Sequence, residues 1–226
     1  MKDKLKVLYE DNHIIVVVKP ENVLSQSDIT KDIDMLSLVK NYIKEKYNKP
    51  GNVYIGLVHR LDRPTGGIMI FARTSKAANR LSKQIKNNEI SKTYLAVIPN
   101  FKNKSGEFID YLKKEDNGNT IVTNKKEGKY SNLTYKLIKE KNNLSLVAIE
   151  LITGRHHQIR VQFASRGYPL YGDQRYGEEN KKQLALFCYK IEFVHPVKKE
   201  KMKFVEYPDY GIFKEFKECF NEKDKR

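Results

Sequence analysis

Long apolar runs are missing from this chain. No stretch of eighteen apolar residues occurs, so no membrane-spanning helix is expected. The opening MKDKLKVLYED lacks the apolar core region and small-residue cleavage site of a signal peptide, and none is expected. Cysteine is scarce. Cys188 and Cys219 lie in unremarkable contexts and read as two reduced thiols of a cytoplasmic protein, not as a bridge or a metal pair. Internal repeats and low-complexity linkers are absent. So are the phosphate-cradling glycine loops, the HExxH zinc motif and the GxSxG nucleophile elbow. His156 and His157 are adjacent and would point different ways on a helix. No metal site is therefore expected.

Charge is what the chain has in quantity. Lys+Arg number 43 against 28 Asp+Glu, a net charge of +15. Such an excess suits a polyanionic partner, most simply nucleic acid. Many of the lysines are scattered through loops, and an ordinary lysine-rich surface accounts for the number equally well. The 226 residues, 39% hydrophobic and 11% aromatic, suffice for one large or two small domains with a core that needs no disulfides.

Periodicity predicts an α+β fold with a mixed, mostly antiparallel sheet flanked by helices. VLYED (7–11) and HIIVVVKP (13–20) read as strands joined by an Asp-Asn turn. Helical spacing runs from about Asp32 to Lys49 and again over 75–90, with Ser75 as the expected cap. Strands are expected at 66–74 and 92–99, and region 100–130 reads as polar turns. A hairpin turns at Lys-Asn-Asn between LTYKLIKE and NLSLVAIEL, and 154–167 reads as a short helix stopped by Gly167. Strands return near 184–194 and 201–206. The expected division is a catalytic domain over 1–208 and a partly helical basic tail over 209–226.

Two segments carry candidate chemistry. HRLDRPTGG (59–67) sets Asp62 between Arg60 and Arg63 in a turn stiffened by Pro64, with glycines that allow close approach. From spacing alone, a surface turn explains Asp62 as well as catalysis does. LITGRHHQIRVQFASRGYPLYGDQRYG (151–177) gathers Arg155, Arg160, Arg166 and Arg175 with Gln158, Tyr168, Tyr171 and Tyr176. Arginine forks read phosphates, and aromatic faces stack on unpaired bases. Arg155 and Arg160 are five residues apart and do not share a helix face, so one can point inward. An inward arginine needs a carboxylate, and Asp62 is a candidate.

These residues resemble the RluA family of pseudouridine synthases. HRLDRPTGG is similar to the family's HRLDxxTSG signature, SKTYLAV to its Lys-x-Tyr strand, and TGRHHQIRVQFASRGYPLYGDQRYG to its TGRxHQIR…GDxxYG segment. VLYEDNHIIVVVKP resembles its opening strand pair and FVHPV its closing His-Pro. The motifs follow family order over roughly residues 5–208. Three positions depart from the pattern: Gly66 replaces a serine, Val18 an Asn or Asp, and Gln162 a histidine. The chain opens at the catalytic strand pair, so a family member without the small N-terminal RNA-binding domain is expected.

The resemblance implies the pseudouridine synthase fold with a central catalytic cleft, and isomerisation of uridine to pseudouridine in ribosomal or transfer RNA without metal or cofactor. It implies Asp62 as the catalytic carboxylate, attacking the uracil ring or the anomeric carbon, or assisting a glycal intermediate. Arg160 would keep Asp62 charged, and Tyr94 would stack on the uracil and assist proton transfer at carbon 5. Arg60, Arg63, Lys92, Arg155, His157 and Gln158 are the expected RNA-binding residues, with Arg63 as the candidate wedge or phosphate contact. A cytoplasmic monomer is expected. The alternative is a non-catalytic RNA-binding protein on the same scaffold.

Overall fold

The computed structural model describes residues 5–30, 32–178 and 182–220. The chain divides into two compact units: Met1–Ile90 with Lys190–Glu206, and Ser91–Tyr189 with Tyr207–Lys225.

In the first unit, β1 (Lys6–Glu10) and β2 (Ile14–Lys19) form the expected hairpin. Its turn closes because Asp11 Oδ1 accepts from the backbone N–H groups of His13 (2.8 Å) and Ile14 (2.9 Å). α1 (Met35–Lys46) starts three residues later than the periodicity suggested. Asp34 caps it by accepting from Ser37 N, and Leu24 pairs with Asp34 in an isolated parallel bridge. β3 (Gly56–Leu57) and β2 both pair antiparallel with β4 (Gly66–Ala72). α2 (Ser75–Lys86) follows, capped by Thr74 and not by Ser75, since Thr74 Oγ1 accepts from Ala77 N at 3.1 Å.

Alternate residues of β2 and β4, namely Ile14, Val16, Ile68, Ile70 and Ala72, cluster with Ala77 and Leu81 of α2. The intervening Ile15, Val17, Met69 and Phe71 are equally buried. The sheet is thus covered on both faces, which is why β2 and β4 read as continuous apolar runs.

The second unit holds the antiparallel order β5 (Ser91–Pro99), β9 (Leu144–Leu151), β8 (Lys129–Lys141), β6 (Ser105–Lys114) and β7 (Thr120–Thr123). The β8–β9 turn uses Asn142 and Asn143, both at positive φ (52° and 58°), as a two-residue hairpin requires. The expectation of polar turns over 100–130 fails, because that region supplies β6, β7 and the start of β8. Phe108 and Leu112 point inward from β6 while Ile109 stays half exposed, and apolar residues on both faces erase the strand period.

α3 (Gln158–Ala164) seats Phe163 among Phe101, Phe108 and Tyr135, with ring centroids 4.9–5.8 Å apart. The helix expected over 154–167 is shorter: it starts at Gln158, after His157 at φ +50°, and ends at Ala164, with Gly167 at φ +79° in the turn that follows. Gln162, the departure from the family histidine, is fully buried. It donates to Phe108 O (3.1 Å) and Asp110 Oδ2 (2.7 Å), so it ties α3 to β6.

β10 (Leu186–Val194) and β11 (Lys201–Val205) pair antiparallel, and a 3-10 segment over Gly211–Cys219 buries Phe213 and Phe216. The rest of the expected helical tail, residues 221–226, lies outside the described residues.

Candidate active site

The Asp62 turn leaves the first unit's sheet between β3 and β4, and three groups hold it by its backbone. His59 is buried, and its Nε2 accepts from Ile70 N at 3.0 Å. The imidazole therefore stands where a neighbouring strand's carbonyl would, with its proton on Nδ1. Ser25 Oγ donates to Leu61 O (2.7 Å) and accepts from Leu61 N (3.0 Å), satisfying both backbone groups of the residue before Asp62. Thr65 N donates to Asp62 O at 3.0 Å and closes the turn. Gly67, at φ +132°, occupies backbone space that a side chain would strain.

The third group is Lys19, the last residue of β2 and wholly buried. Its Nζ donates to Pro20 O and Arg63 O, both at 2.9 Å. Burial pushes the ammonium down to about 7, against the opposing pull of the Asp62 and Glu21 carboxylates. Half-buried Asp62 is thus flanked by a cation hidden from water. Arg60 is exposed, and Arg63 pairs with Asp32 at 2.8 Å with both side chains about half exposed.

The second unit fixes side chains as well as backbone. Tyr94 lies in β5 opposite Ile149, 6% exposed. Lys92, two residues earlier on the same face, is half-buried, and burial lowers its pKa. A Cβ on Gly154 would lie 3.6 Å from Lys92 Nζ, so the strand and the segment leading into α3 touch there.

Arg160 is almost wholly buried. It grips Asp173 through Nε to Oδ2 (2.8 Å) and Nη2 to Oδ1 (2.6 Å), a two-pronged pair. Asp173 also accepts from the N–H groups of Arg175 (3.0 Å) and Tyr176 (3.1 Å). Burial acts to raise its pKa, but Arg160 and these N–H groups prevail and hold it below the usual carboxylate range. The Arg160 guanidinium lies 5.2 Å from the Tyr176 ring centre.

Around this pair the loop is laced together. His157, at φ +50°, stacks on His156 with centroids 3.7 Å apart, and its Nδ1 meets Tyr176 Oη at 2.7 Å. Burial and then the charge of Arg160 push His157 down to about 3, so it is neutral at ordinary pH. Buried Gln158 accepts from Thr153 Oγ1 and Arg155 N, both at 2.9 Å, and donates to Asn132 O at 3.0 Å. Its amide braces the loop from inside. Exposed Arg155 donates through Nε to Tyr130 O at 2.9 Å.

The sequence reading did not single out Lys19, Ser25 or Asp173 as site residues. Lys19 carried a signal, a lysine closing the apolar run IIVVV, whereas Ser25 and Asp173 look locally like ordinary loop residues. Among the described residues, no group of three or more His, Cys, Asp or Glu is placed to hold a metal ion. No described helix is long and apolar enough to cross a membrane.

The chain belongs to the RNA pseudouridylate synthase family, whose model matches residues 13–165, a span that includes Asp62, Tyr94 and Arg160. This bears out the resemblance read from the motifs. An uncharacterized RNA pseudouridine synthase of Mycoplasma genitalium, MG370, is 39% identical over 213 residues, covering 85% of this chain and 64% of the relative. The ribosomal large subunit pseudouridine synthase D of Borreliella burgdorferi is 30% identical over 198 residues, covering 83% and 60%. The chain therefore spans somewhat less than two thirds of these relatives' length. The solved structure of human RNA pseudouridylate synthase domain containing 4 shares the fold, with a TM-score of 0.76 at 18% identity, over 90% of this chain and 89% of that one.

Proposed function

We propose that this chain is an RNA pseudouridine synthase, an isomerase that converts uridine to pseudouridine, with residues 1–208 as its catalytic domain. The observation that carries the reading is the single family match over 13–165, which takes in the Asp62 turn, the Tyr94 strand and Arg160 together. Asp62 is the catalytic carboxylate. Attack on the uracil ring, attack on the anomeric carbon and assistance to a glycal all need it ionised, and Lys19 and Arg160 supply the positive charge that keeps it so. Asp173 grips the Nε/Nη2 edge of Arg160. Tyr94 stacks on the flipped uracil. Its phenol, near 10 in ordinary surroundings, is a weak base at neutral pH, so stacking is the larger part of its work.

Arg60, Arg63, Lys92, Arg155 and His157 face the RNA in this reading, and Gln158 acts through the loop it braces. The Borreliella relative's name makes large-subunit ribosomal RNA the first substrate to test and transfer RNA the second. The protein works as a cytoplasmic monomer in this reading.

The test is tritium release from RNA labelled at carbon 5 of uridine, followed by pseudouridine mapping. Wild type releases tritium and leaves pseudouridine. Asp62→Asn and Asp62→Ala fold and bind RNA but release none. Full activity in Asp62→Ala would remove Asp62 from the mechanism. RNA binding without release by wild type would make this a binding protein on a synthase scaffold.

A further inference from the structure

An antiparallel sheet with one solvated face ordinarily turns polar residues to the water. β6 and β8 break that rule. Phe108 and Leu112 are buried on the side of α3, where the Phe108 and Phe163 ring centroids lie 4.9 Å apart. The alternate residues of β6 leave by the other face, and the register sets Ile109 opposite Asn132 and Tyr111 opposite Tyr130. Ile109 is 51% exposed and Tyr130 43%.

Three contacts fix Tyr130. Its ring meets Tyr111 edge-on, with centroids 6.1 Å apart and planes at 69°. Its hydroxyl accepts from Asn132 Nδ2 at 3.2 Å, and the same amide donates to Glu107 Oε1 at 2.6 Å. Its backbone O accepts from Arg155 Nε at 2.9 Å, an arginine whose side chain is otherwise exposed. A cross-strand tyrosine pair alone is ordinary sheet packing. An open ring with an arginine anchored at its own backbone is more than that: the ring can stack on a base, and the guanidinium fork can take a phosphate. Glu107 beside the ring repels phosphate, so the nucleic-acid backbone belongs at Arg155 and the uncharged base at the ring.

This is not a second wall of the uracil pocket. Tyr94 and Tyr135 both lie opposite Ile149, so they share a sheet face. Tyr130 is an odd number of residues from Tyr135 along β8 and leaves by the reverse face.

We infer that Tyr130 is a stacking platform for an unpaired base of the bound RNA, outside the target uridine, with Arg155 taking the adjoining phosphate. The inference rests on the RNA-binding part of the reading above, and its test needs no isomerisation.

The chain contains no tryptophan, so Tyr130→Trp gives a reporter confined to this position. The probe is single-stranded oligoadenylate, which has no uridine to convert. Its binding should quench the emission of Tyr130→Trp and leave that of Ile138→Trp, at an exposed position further along β8, unchanged. Tyr130→Ala and Tyr130→Leu should each weaken oligoadenylate binding by about tenfold, and Tyr130→Phe by no more than about twofold, since the flat ring is what stacks. The salt dependence of binding should be the same in all of them, because stacking releases no counterions. On a strand of the same length carrying abasic riboses, wild type and Tyr130→Ala should bind alike.

Equal quenching at both tryptophan positions, wild-type affinity in Tyr130→Leu, or the same loss in Tyr130→Ala on the abasic strand overturns the platform. Absence of tritium release by wild type, with Tyr130-dependent binding intact, overturns the synthase reading and leaves the platform standing.

Discussion

The two units prepare their key residues in opposite ways. The first holds Asp62 by its backbone: Ser25 grips Leu61, His59 substitutes for a strand carbonyl, and Lys19 crosses to Arg63 O. The second holds Arg160 by its side chain, with the guanidinium locked on Asp173 in a nearly dry setting. A short carboxylate has little reach, so fixing its main chain fixes its position. A long cationic side chain has many rotamers, and only a partner at its head removes them. The cost differs too. Asp173 and Arg160 offset each other's burial, whereas Lys19 donates to two carbonyls, Pro20 O and Arg63 O, and feels Asp62 and Glu21 through space.

The contrast can be broken most forcefully at Asp173. Asp173→Asn keeps the shape but leaves a buried guanidinium without that anion, and urea unfolding should show a loss of about 3–5 kcal/mol. A loss below about 1 kcal/mol would mean that Arg160 is held by something other than this pair.

The next test sharpens the other side. Lys19 gives up its proton near 7 in the folded protein and near 10.5 when unfolded. Between those values the unfolded chain binds more protons, so stability should rise with pH, by up to about 1.4 kcal/mol per pH unit from this one group. Below about pH 7 both states are protonated and the slope from Lys19 vanishes. Lys19→Met should flatten the curve between pH 7 and 10, and an unchanged slope would assign it elsewhere.

The smallest effect is expected at Ser25. Ser25→Ala leaves Leu61 N–H and C=O without their hydroxyl partner and should cost about 1–2 kcal/mol in the same unfolding measurement. It should also lower activity by loosening the Asp62 turn. Stability lost with the rate intact would show that the turn is held without it.

Where a segment's own period or turn chemistry decided its structure, the sequence was readable. β2 and β4 announce themselves as buried apolar runs, the two asparagines mark the β8–β9 turn, and α2 shows its stripe. β6 and β7 were hidden because Ile109 and Tyr111 occupy outward positions that the alternation rule reserves for polar residues. The helix caps fell one to three residues from their expected places, since a serine, a threonine or an aspartate can each cap and only the geometry chooses. For the site, the acidic turn and the arginine-rich loop were legible as motifs. Their supports were not: Asp173 lies 13 residues from Arg160, and Ser25 lies 36 from Leu61. Nothing local distinguishes a brace from an ordinary loop residue.

His59 gives the first unit one more property. Because its ring completes the hydrogen-bond ladder at Ile70, the sheet edge and the Asp62 turn share a single latch. The amide proton of Ile70 can meet solvent through that side only when the imidazole swings away. Its deuterium exchange therefore counts the openings of the turn that presents the carboxylate, and a proton buried in a strand keeps the clock of a loop.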